Sequence, residues 1–194
     1  MTRIIAGAAR GARLDVPGSG TRPTSDRVRE SLFGALESAD AMVGARVLDL
    51  YAGSGALGLE SLSRGASSVD LVEHGRTAVG IIRRNAGVVA KAGALSPARV
   101  HQSSVRAFLQ RTTGPFDLVF TDPPYDLGDE AMNGDLLALA PLLAPEALVV
   151  IERAKRSSPP ELAAAGLELL REKTYGDTTL WWATPRAADD AASA

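Results

Sequence analysis

The sequence contains no cysteine, and His74 and His101 are the only histidines among its 194 residues. Without cysteine the chain has no disulfide framework, no thiolate metal site and no cysteine nucleophile. The two histidines lie far apart in the sequence and lack the short spacing of paired zinc ligands. We therefore expect no metal in the functional site.

Long hydrophobic runs are also missing. The N-terminal segment has no apolar stretch of signal-peptide length, and no segment approaches the roughly 18 consecutive apolar residues of a membrane span. With 45% hydrophobic residues, the composition is that of an ordinary globular protein, and 194 residues suit one domain with a small appendage. These features favour a cytoplasmic protein.

The charge is small overall but unevenly distributed. A net charge of −2 argues weakly against a nucleic-acid partner. The first 29 residues, however, hold six arginines against two aspartates; the arginines are Arg3, Arg10, Arg13, Arg22, Arg27 and Arg29. The guanidinium fork suits phosphate better than the lysine ammonium does. This segment is therefore either a solvated basic face or a surface that contacts nucleic acid.

Two patterns of elements follow one another along the chain. Residues 3–16 predict a short hairpin, and a helix follows that ends near Ser38. From Arg46 onward, strands alternate with helices, and an antiparallel pair of strands follows. The predicted strands are 47–50, 68–72, 99–101, 116–121 and 147–151, and the predicted helices are 56–64, 75–91, 105–111 and 130–143. The antiparallel pair is 167–173 and 178–183. Such alternation predicts an α/β sheet, mostly parallel, whose ligands bind at the carboxyl ends of the strands.

A glycine-rich turn follows the first of these strands. Gly53, Gly55 and Gly58 form a G-x-G-x-x-G motif that opens a helix, and Glu73 follows the next strand, 20 positions after Gly53. Glycines at these positions let the backbone approach a ligand, and an acidic residue about 20 positions later is placed to accept a ribose hydroxyl. The motif fits a dinucleotide or S-adenosylmethionine, and it also fits a plain tight turn. Asp49, just before the glycines, would repel a pyrophosphate and attract an ammonium group, which favours S-adenosylmethionine weakly.

The strand 116–121 is followed directly by Asp122, Pro123, Pro124 and Tyr125. Two prolines fix a rigid turn with free carbonyl groups. An aromatic amine is a poor nucleophile, because its lone pair is delocalised into the ring. Acceptors on Asp122 and Pro123 would hold both N–H bonds and direct the lone pair at a methyl group, while Tyr125 stacks on the base. The turn therefore predicts methylation of an exocyclic amine.

Residues 49–55 and 122–125 resemble the corresponding motifs of the class I methyltransferases that act on amines. The chain as a whole is most similar to the RsmD-type small-subunit ribosomal RNA guanine-N2 methyltransferases. The resemblance rests on the two motifs above and on three further segments, 3–11, 21–33 and 173–179, and it covers nearly the whole chain up to Pro185. It implies a Rossmann-like, mostly parallel seven-stranded sheet with an antiparallel C-terminal strand, preceded by the hairpin and helix extension. The expected organisation is an RNA-contacting extension (1–40), a catalytic domain (41–184) and a disordered tail (185–194).

The resemblance also implies S-adenosylmethionine as cofactor and one guanine of small-subunit (16S) ribosomal RNA as target, presented in an assembled subunit. It implies that the N-terminal arm contacts RNA or ribosomal protein, and we expect a monomer. Residues predicted to bind the cofactor are Asp49, Tyr51, Gly53, Ser54, Gly55, Glu73, His74, Ser104, Val105 and Asp122. Asp122, Pro123, Pro124 and Tyr125 are the predicted catalytic residues, and Arg3, Arg10, Arg22, Thr24 and Arg27 are predicted to bind RNA. Many class I enzymes have an Asp-Ala pair where this chain has Ser103-Ser104, so its adenine contact would need a serine hydroxyl or backbone groups.

Four other functions share part of this pattern. An adenine-N6 DNA methylase would share residues 122–125, but it usually needs a separate target-reading region, and the short connections here leave no room for one. A protein-glutamine methylase would face the same amide chemistry, although the arginine-rich arm favours nucleic acid. An NAD-dependent oxidoreductase lacks a convincing proton relay, since neither histidine lies in a suitable place. A non-catalytic RNA-binding module would leave the cofactor motif unexplained.

Overall fold

The N-terminal extension is a hairpin followed by a helix, as predicted. The computed structural model describes residues 2–18, 26–124 and 126–187. Strands β1 (Thr2–Arg3) and β2 (Arg13–Leu14) pair antiparallel, and helix α1 (Asp26–Ser38) follows. The apolar spacing of α1 places Leu32, Phe33 and Leu36 in the core, where each is at most 1% exposed.

A seven-stranded sheet forms the centre of the molecule. Its strands are β3 (Arg46–Leu50), β4 (Ser68–Glu73), β5 (Arg99–Gln102), β6 (Phe116–Thr121), β7 (Leu143–Ala154), β8 (Leu167–Tyr175) and β9 (Thr178–Pro185), in the order β5-β4-β3-β6-β7-β9-β8. Strand β9 pairs antiparallel with both β7 and β8, and the other strand pairs of this sheet are parallel. This topology confirms the predicted sheet, and the strand order reverses at β3 and β6, where such folds bind ligands.

Helices cover both faces of the sheet. They are α2 (Ala56–Ser63), α3 (Arg76–Gly93), α4 (Val105–Leu109) and α5 (Asp129–Leu139). One core cluster packs α1, α2 and α3 against one face, and a second packs α4 and α5 against the other. In the part of the chain that the structure describes, no helix has the length and apolar content needed to span a membrane.

The predicted helix 130–143 was wrong at its C-terminal end. Helix α5 stops at Leu139, residues 140–142 form a 3-10 turn, and Leu143 already pairs with Phe116 as the first residue of β7. Pro141 explains the change, because its ring clashes with the preceding helical turn and it lacks an N–H. Strand β7 also begins earlier than the predicted 147–151, with an irregular register between Phe116 and Leu118 on its partner.

Candidate active site

A cavity of about 950 Å³ opens at the carboxyl ends of the central strands. Its walls include the turn after β3, the ends of β4, β6 and β7, and Val16 and Pro17 of the N-terminal arm. The volume lies at the upper end of the range for small-molecule sites. The cavity therefore occupies the position that the strand-end rule predicts, and it is large enough for a cofactor and part of a substrate.

The glycine-rich turn forms one wall of this cavity. Gly53 and Gly55 have positive φ angles of 57° and 78°. A Cβ atom on Gly58 would lie 2.4 Å from Leu71 Cδ2, so this glycine lets α2 pack directly on β4. Ser54 lines the cavity, and its carbonyl accepts a hydrogen bond from Asn85 Nδ2 at 2.9 Å. The turn thus has the close helix–strand packing that a Rossmann-type site needs.

Asp49 lies beneath this turn and is 2% exposed. Its Oδ2 accepts a hydrogen bond from Gly58 N at 2.9 Å. Burial raises the pKa of Asp49 to about 7, the Gly58 N–H opposes the shift, and the charge of Glu73 adds to it. A positively charged ligand group nearby would favour the ionised form, so this wall of the cavity fits a cation better than a phosphate.

Glu73 joins two turns at the cavity edge. Its Oε2 accepts from Gly53 N at 3.1 Å, and its Oε1 accepts from Gly75 N at 2.7 Å. Each carboxylate oxygen has a second lone pair, so these bonds leave acceptor capacity for a ribose hydroxyl. His74 is exposed beside it and also lines the cavity.

Tyr51 connects the cavity to a network of hydrogen bonds and ion pairs that the sequence did not indicate. Its backbone is left-handed, with φ 59°, and its hydroxyl donates to Asp135 Oδ2 at 2.5 Å. Asp135 also pairs with Arg106 Nε at 3.2 Å. Burial and the contact with Asp135 raise the pKa of Tyr51. Asp135 lies in the middle of α5, where no motif marks it.

The residues after β5 reach the cavity. Ser104 is the N-cap of α4, and its Oγ accepts from Ala107 N at 3.3 Å. Ser103, Ser104 and Val105 all line the cavity. The Ser104 hydroxyl therefore supports the local helix, as N-cap residues do.

The turn after β6 brings Asp122, Pro123 and Pro124 to the cavity. Tyr125 lies outside the described residues. The Asp122 residue is partly exposed, but its carboxyl group is buried. This burial is the main cause of the strongly raised pKa of Asp122, and the charges of Glu152 and Asp49 raise the pKa further. Pro124 O accepts a hydrogen bond from Leu127 N at 2.9 Å.

Glu152 lies near the end of β7, directly after the last residue that pairs with β6, and is 8% exposed. Glu152 is not among the residues predicted from the sequence, although it directly follows the predicted strand 147–151. The strand-end rule would have found it. Next to it, Arg153 donates through Nη2 to Leu127 O at 3.2 Å and to Asp129 Oδ1 at 3.0 Å. Arg153 therefore anchors the segment that follows Asp122.

The N-terminal arm supplies exposed arginines and one buried arginine. Arg3, Arg10 and Arg27 are exposed, while the predicted Arg22 and Thr24 lie outside the described residues. Arg29 is 2% exposed and lines the cavity, and its Nη2 donates to Thr2 Oγ1 at 2.7 Å and to Arg3 O at 3.0 Å. The sequence marked it only as one more member of the basic segment.

Buried polar contacts attach the arm to the catalytic domain. Glu60 is fully buried, and its carboxylate accepts from Ile5 N at 2.7 Å and Ala6 N at 3.0 Å. Asn85 bonds both to the backbone of Asp15 and to the Ser54 carbonyl of the glycine-rich turn. The arm is therefore held next to the cavity from two sides.

Comparisons with known proteins identify the family. Residues 2–184 match the family described as Conserved hypothetical protein 95. Ribosomal RNA small subunit methyltransferase D of Escherichia coli is 44% identical to this chain, and the match covers 90% of this chain and 85% of the relative. The protein of the same name from Haemophilus influenzae is 38% identical, and the match covers 90% of this chain and 89% of the relative. A putative methyltransferase of Escherichia coli with a solved structure is 39% identical, covers 96% of this chain and 98% of its own, and superposes with a TM-score of 0.79. The chain belongs to the Conserved hypothetical protein 95 family, together with the ribosomal RNA small subunit methyltransferase D proteins.

Proposed function

We propose that the protein transfers a methyl group from S-adenosylmethionine to the exocyclic N2 amine of one guanine in small-subunit ribosomal RNA, within an assembled subunit in the cytoplasm. The observation that carries the proposal is the turn of Asp122, Pro123 and Pro124 at the cavity beside the glycine-rich turn. The names of the related methyltransferases support ribosomal RNA as the substrate. We further propose the division into an RNA-contacting extension (1–40) and a catalytic domain (41–184).

The cavity residues fit S-adenosylmethionine. The cofactor has a ribose and adenine at one end and an amino-acid group with a positive sulfonium at the other. Asp49 and Asp122 are carboxyl groups whose pKa is raised by burial and by neighbouring acids, so positive charge in the cavity would stabilise their ionised forms. We assign the amino group to Asp49, the ribose to Glu73 and the adenine to residues 103–105. When bound, S-adenosylmethionine supplies an electrophilic methyl group on sulfur.

The reaction depends on how the target amine is held. The Asp122 carboxylate and the Pro123 carbonyl accept the two N–H bonds, so that the nitrogen lone pair points at the methyl group. The same lone pair would form the new N–C bond while the bond from the methyl carbon to sulfur breaks and leaves its electron pair on sulfur. The amine would then carry one surplus proton, which the Asp122 carboxylate can accept. Tyr125 stacks on the base after it leaves its helix or loop. Catalysis consists mainly of positioning and electrostatics.

The exposed arginines of the arm supply the RNA contacts. Arg3, Arg10 and Arg27 are free to reach phosphates because their side chains are exposed, and we include Arg22 and Thr24 in the same surface. Since the arm also lines the cavity through Val16 and Pro17, phosphate contacts on it would position RNA at the site of methyl transfer.

An oxidoreductase that uses a dinucleotide is the less favourable assignment. Its pyrophosphate would face the glycine-rich turn, where Asp49 lies buried. A carboxylate at that position repels phosphate, and a phosphate charge would push the pKa of Asp49, which burial already raises, still higher.

Replacement of Asp122 tests the mechanism. We expect Asp122→Ala to bind S-adenosylhomocysteine normally but to lose activity by about a hundredfold or more, because an acceptor that acts in the transition state is gone. Asp122→Asn is the matched control, since it keeps one acceptor oxygen and should lose less. Isothermal titration and methyl transfer from labelled S-adenosylmethionine measure the two effects. Normal turnover by Asp122→Ala would exclude this mechanism.

A further inference from the structure

The ends of β6 and β7 place two carboxylates side by side. Thr121 pairs with Ile151, and the next residue on each strand is acidic: Asp122 and Glu152. Two residues earlier, Phe120 and Val150 belong to the same core cluster, on the face that α1 covers. Because side chains alternate along a strand, Asp122 and Glu152 follow on that same face. Both line the cavity.

The two carboxyl groups also interact electrostatically. After burial, the charge of Glu152 is the largest cause of the raised pKa of Asp122. The site therefore offers neighbouring acceptors from Asp122 and Glu152.

Guanine and adenine differ at the position next to the amine. On the pairing edge of guanine, N1 carries a hydrogen beside the N2 amine, so the edge presents a row of donors. In adenine, N1 is unprotonated and accepts hydrogen bonds beside the N6 amine. A base that has been turned out of its stack is read on this edge. Two neighbouring carboxylates match the donor row of guanine and would repel the N1 lone pair of adenine.

Building on the proposed function, we propose that Glu152 selects guanine by accepting its N1–H, while Asp122 and Pro123 hold the N2 amine. The role is one of specificity and positioning, since Glu152 bonds an atom that does not react. The carboxylate has four lone-pair sites, so it can accept the N1–H while it keeps other contacts. A base with an amine but an unprotonated N1 then meets repulsion at this position.

The test uses 2-aminopurine, which keeps the N2 amine and the purine rings but has an unprotonated N1 and no O6. The change in base preference between the unchanged enzyme and a Glu152 variant therefore reports on N1. Subunit particles are assembled with either guanine or 2-aminopurine at the methylated position. We expect the unchanged enzyme to favour guanine in kcat/KM by about ten- to a hundredfold. Glu152→Gln should reduce this preference to within about threefold, because an amide can donate to the unprotonated N1. It should lower guanine methylation by about tenfold or more.

Controls separate a specificity role from a structural one. Glu146→Gln makes the same change at an exposed position of β7 and should leave the base preference as it is. Glu152→Asp keeps the charge and should retain part of the preference. S-adenosylhomocysteine affinity and the melting temperature, measured on each variant, show that the fold and the cofactor site persist. If Glu152→Gln fails to fold, the Glu152→Asp and 2-aminopurine measurements still decide the question.

The outcomes separate the inference from the proposed function. If the unchanged enzyme methylates guanine and 2-aminopurine equally well, Glu152 does not read N1, and the inference is overturned while guanine methylation stands. An unaltered preference in both Glu152 variants overturns it as well. If no guanine is methylated at all, the proposed function fails first.

Discussion

The buried carboxyl of Asp49 should make the ligand-free protein less stable as the pH rises, and Asp49→Asn should remove that loss. Asp49 is 2% exposed, and burial is the main cause that raises its pKa from 3.8 to about 7. Between these values the folded protein holds a proton that the unfolded chain releases, so the free energy of unfolding falls with rising pH. Asparagine has no charge but keeps an oxygen that can accept the Gly58 N–H bond.

The magnitude follows from the two pKa values. Ionisation of Asp49 lowers the free energy of unfolding by about 1.5 to 2 kcal/mol near pH 5 and by about 4 kcal/mol near pH 8, at about 1.4 kcal/mol per pKa unit. The stability advantage of Asp49→Asn should therefore grow by about 2 to 3 kcal/mol over that range. The same change should weaken S-adenosylmethionine binding, because it removes the charge assigned to the amino group.

Urea unfolding at several pH values measures this directly, with fluorescence of the buried Trp181 and Trp182 as the signal. Asp40→Asn is the control, because Asp40 is exposed and its left-handed backbone, φ 51°, suits asparagine. This control should stay within about 0.5 kcal/mol of the unchanged protein at each pH. If Asp49→Asn shows the same pH dependence as the unchanged protein, Asp49 does not titrate as a buried group and the reasoning is refuted.

Two further substitutions test how the site is supported. Arg153→Met removes the hydrogen bond to Leu127 that anchors the segment after the catalytic turn. We expect turnover to fall by about tenfold while the affinity for S-adenosylhomocysteine stays unchanged. An equal loss of turnover and of affinity would contradict a positioning role for Arg153. Gly7→Ala would place a Cβ atom 1.9 Å from Ser63 O, so thermal unfolding should show a loss of about 2 to 4 kcal/mol. Gly11→Ala, at a similar φ but with no atom within 4 Å, should cost only about 1 to 2 kcal/mol; equal losses would mean that the close contact is unimportant.

Much of the fold is readable from the sequence because the central strands are buried on both faces. Runs such as 47–50 and 116–121 are mostly apolar and lack the polar alternation of a half-exposed strand, and each is followed by a glycine or proline turn. The same turns mark the strand ends, so the sequence alone is enough to place Asp49, Glu73 and Asp122 at one site. The error at 130–143 arose where an apolar helical pattern continues past Pro141 into a strand.

The parts that could not be predicted depend on contacts between distant segments. Asp135 reaches the cavity only because α5 packs beside Tyr51, 84 positions earlier in the chain. Arg29 looks like one more basic residue of the arm, but its place on the inner face of α1 buries it. The position of Glu152 at the site could have been predicted from the strand-end rule. Its closeness to Asp122, however, depends on the pairing of β6 with β7, and hydrophobic periodicity alone does not predict which strands pair.

Methyl transfer from labelled S-adenosylmethionine tests the central claim most directly. The substrates are small ribosomal subunits from a strain lacking this protein, naked small-subunit RNA and duplex DNA. We predict label on the subunit RNA, which nuclease digestion releases as N2-methylguanosine. Label on DNA alone, as N6-methyladenine, would contradict the RNA assignment while keeping the amine chemistry, and no label on any substrate together with no bound cofactor would contradict the account as a whole.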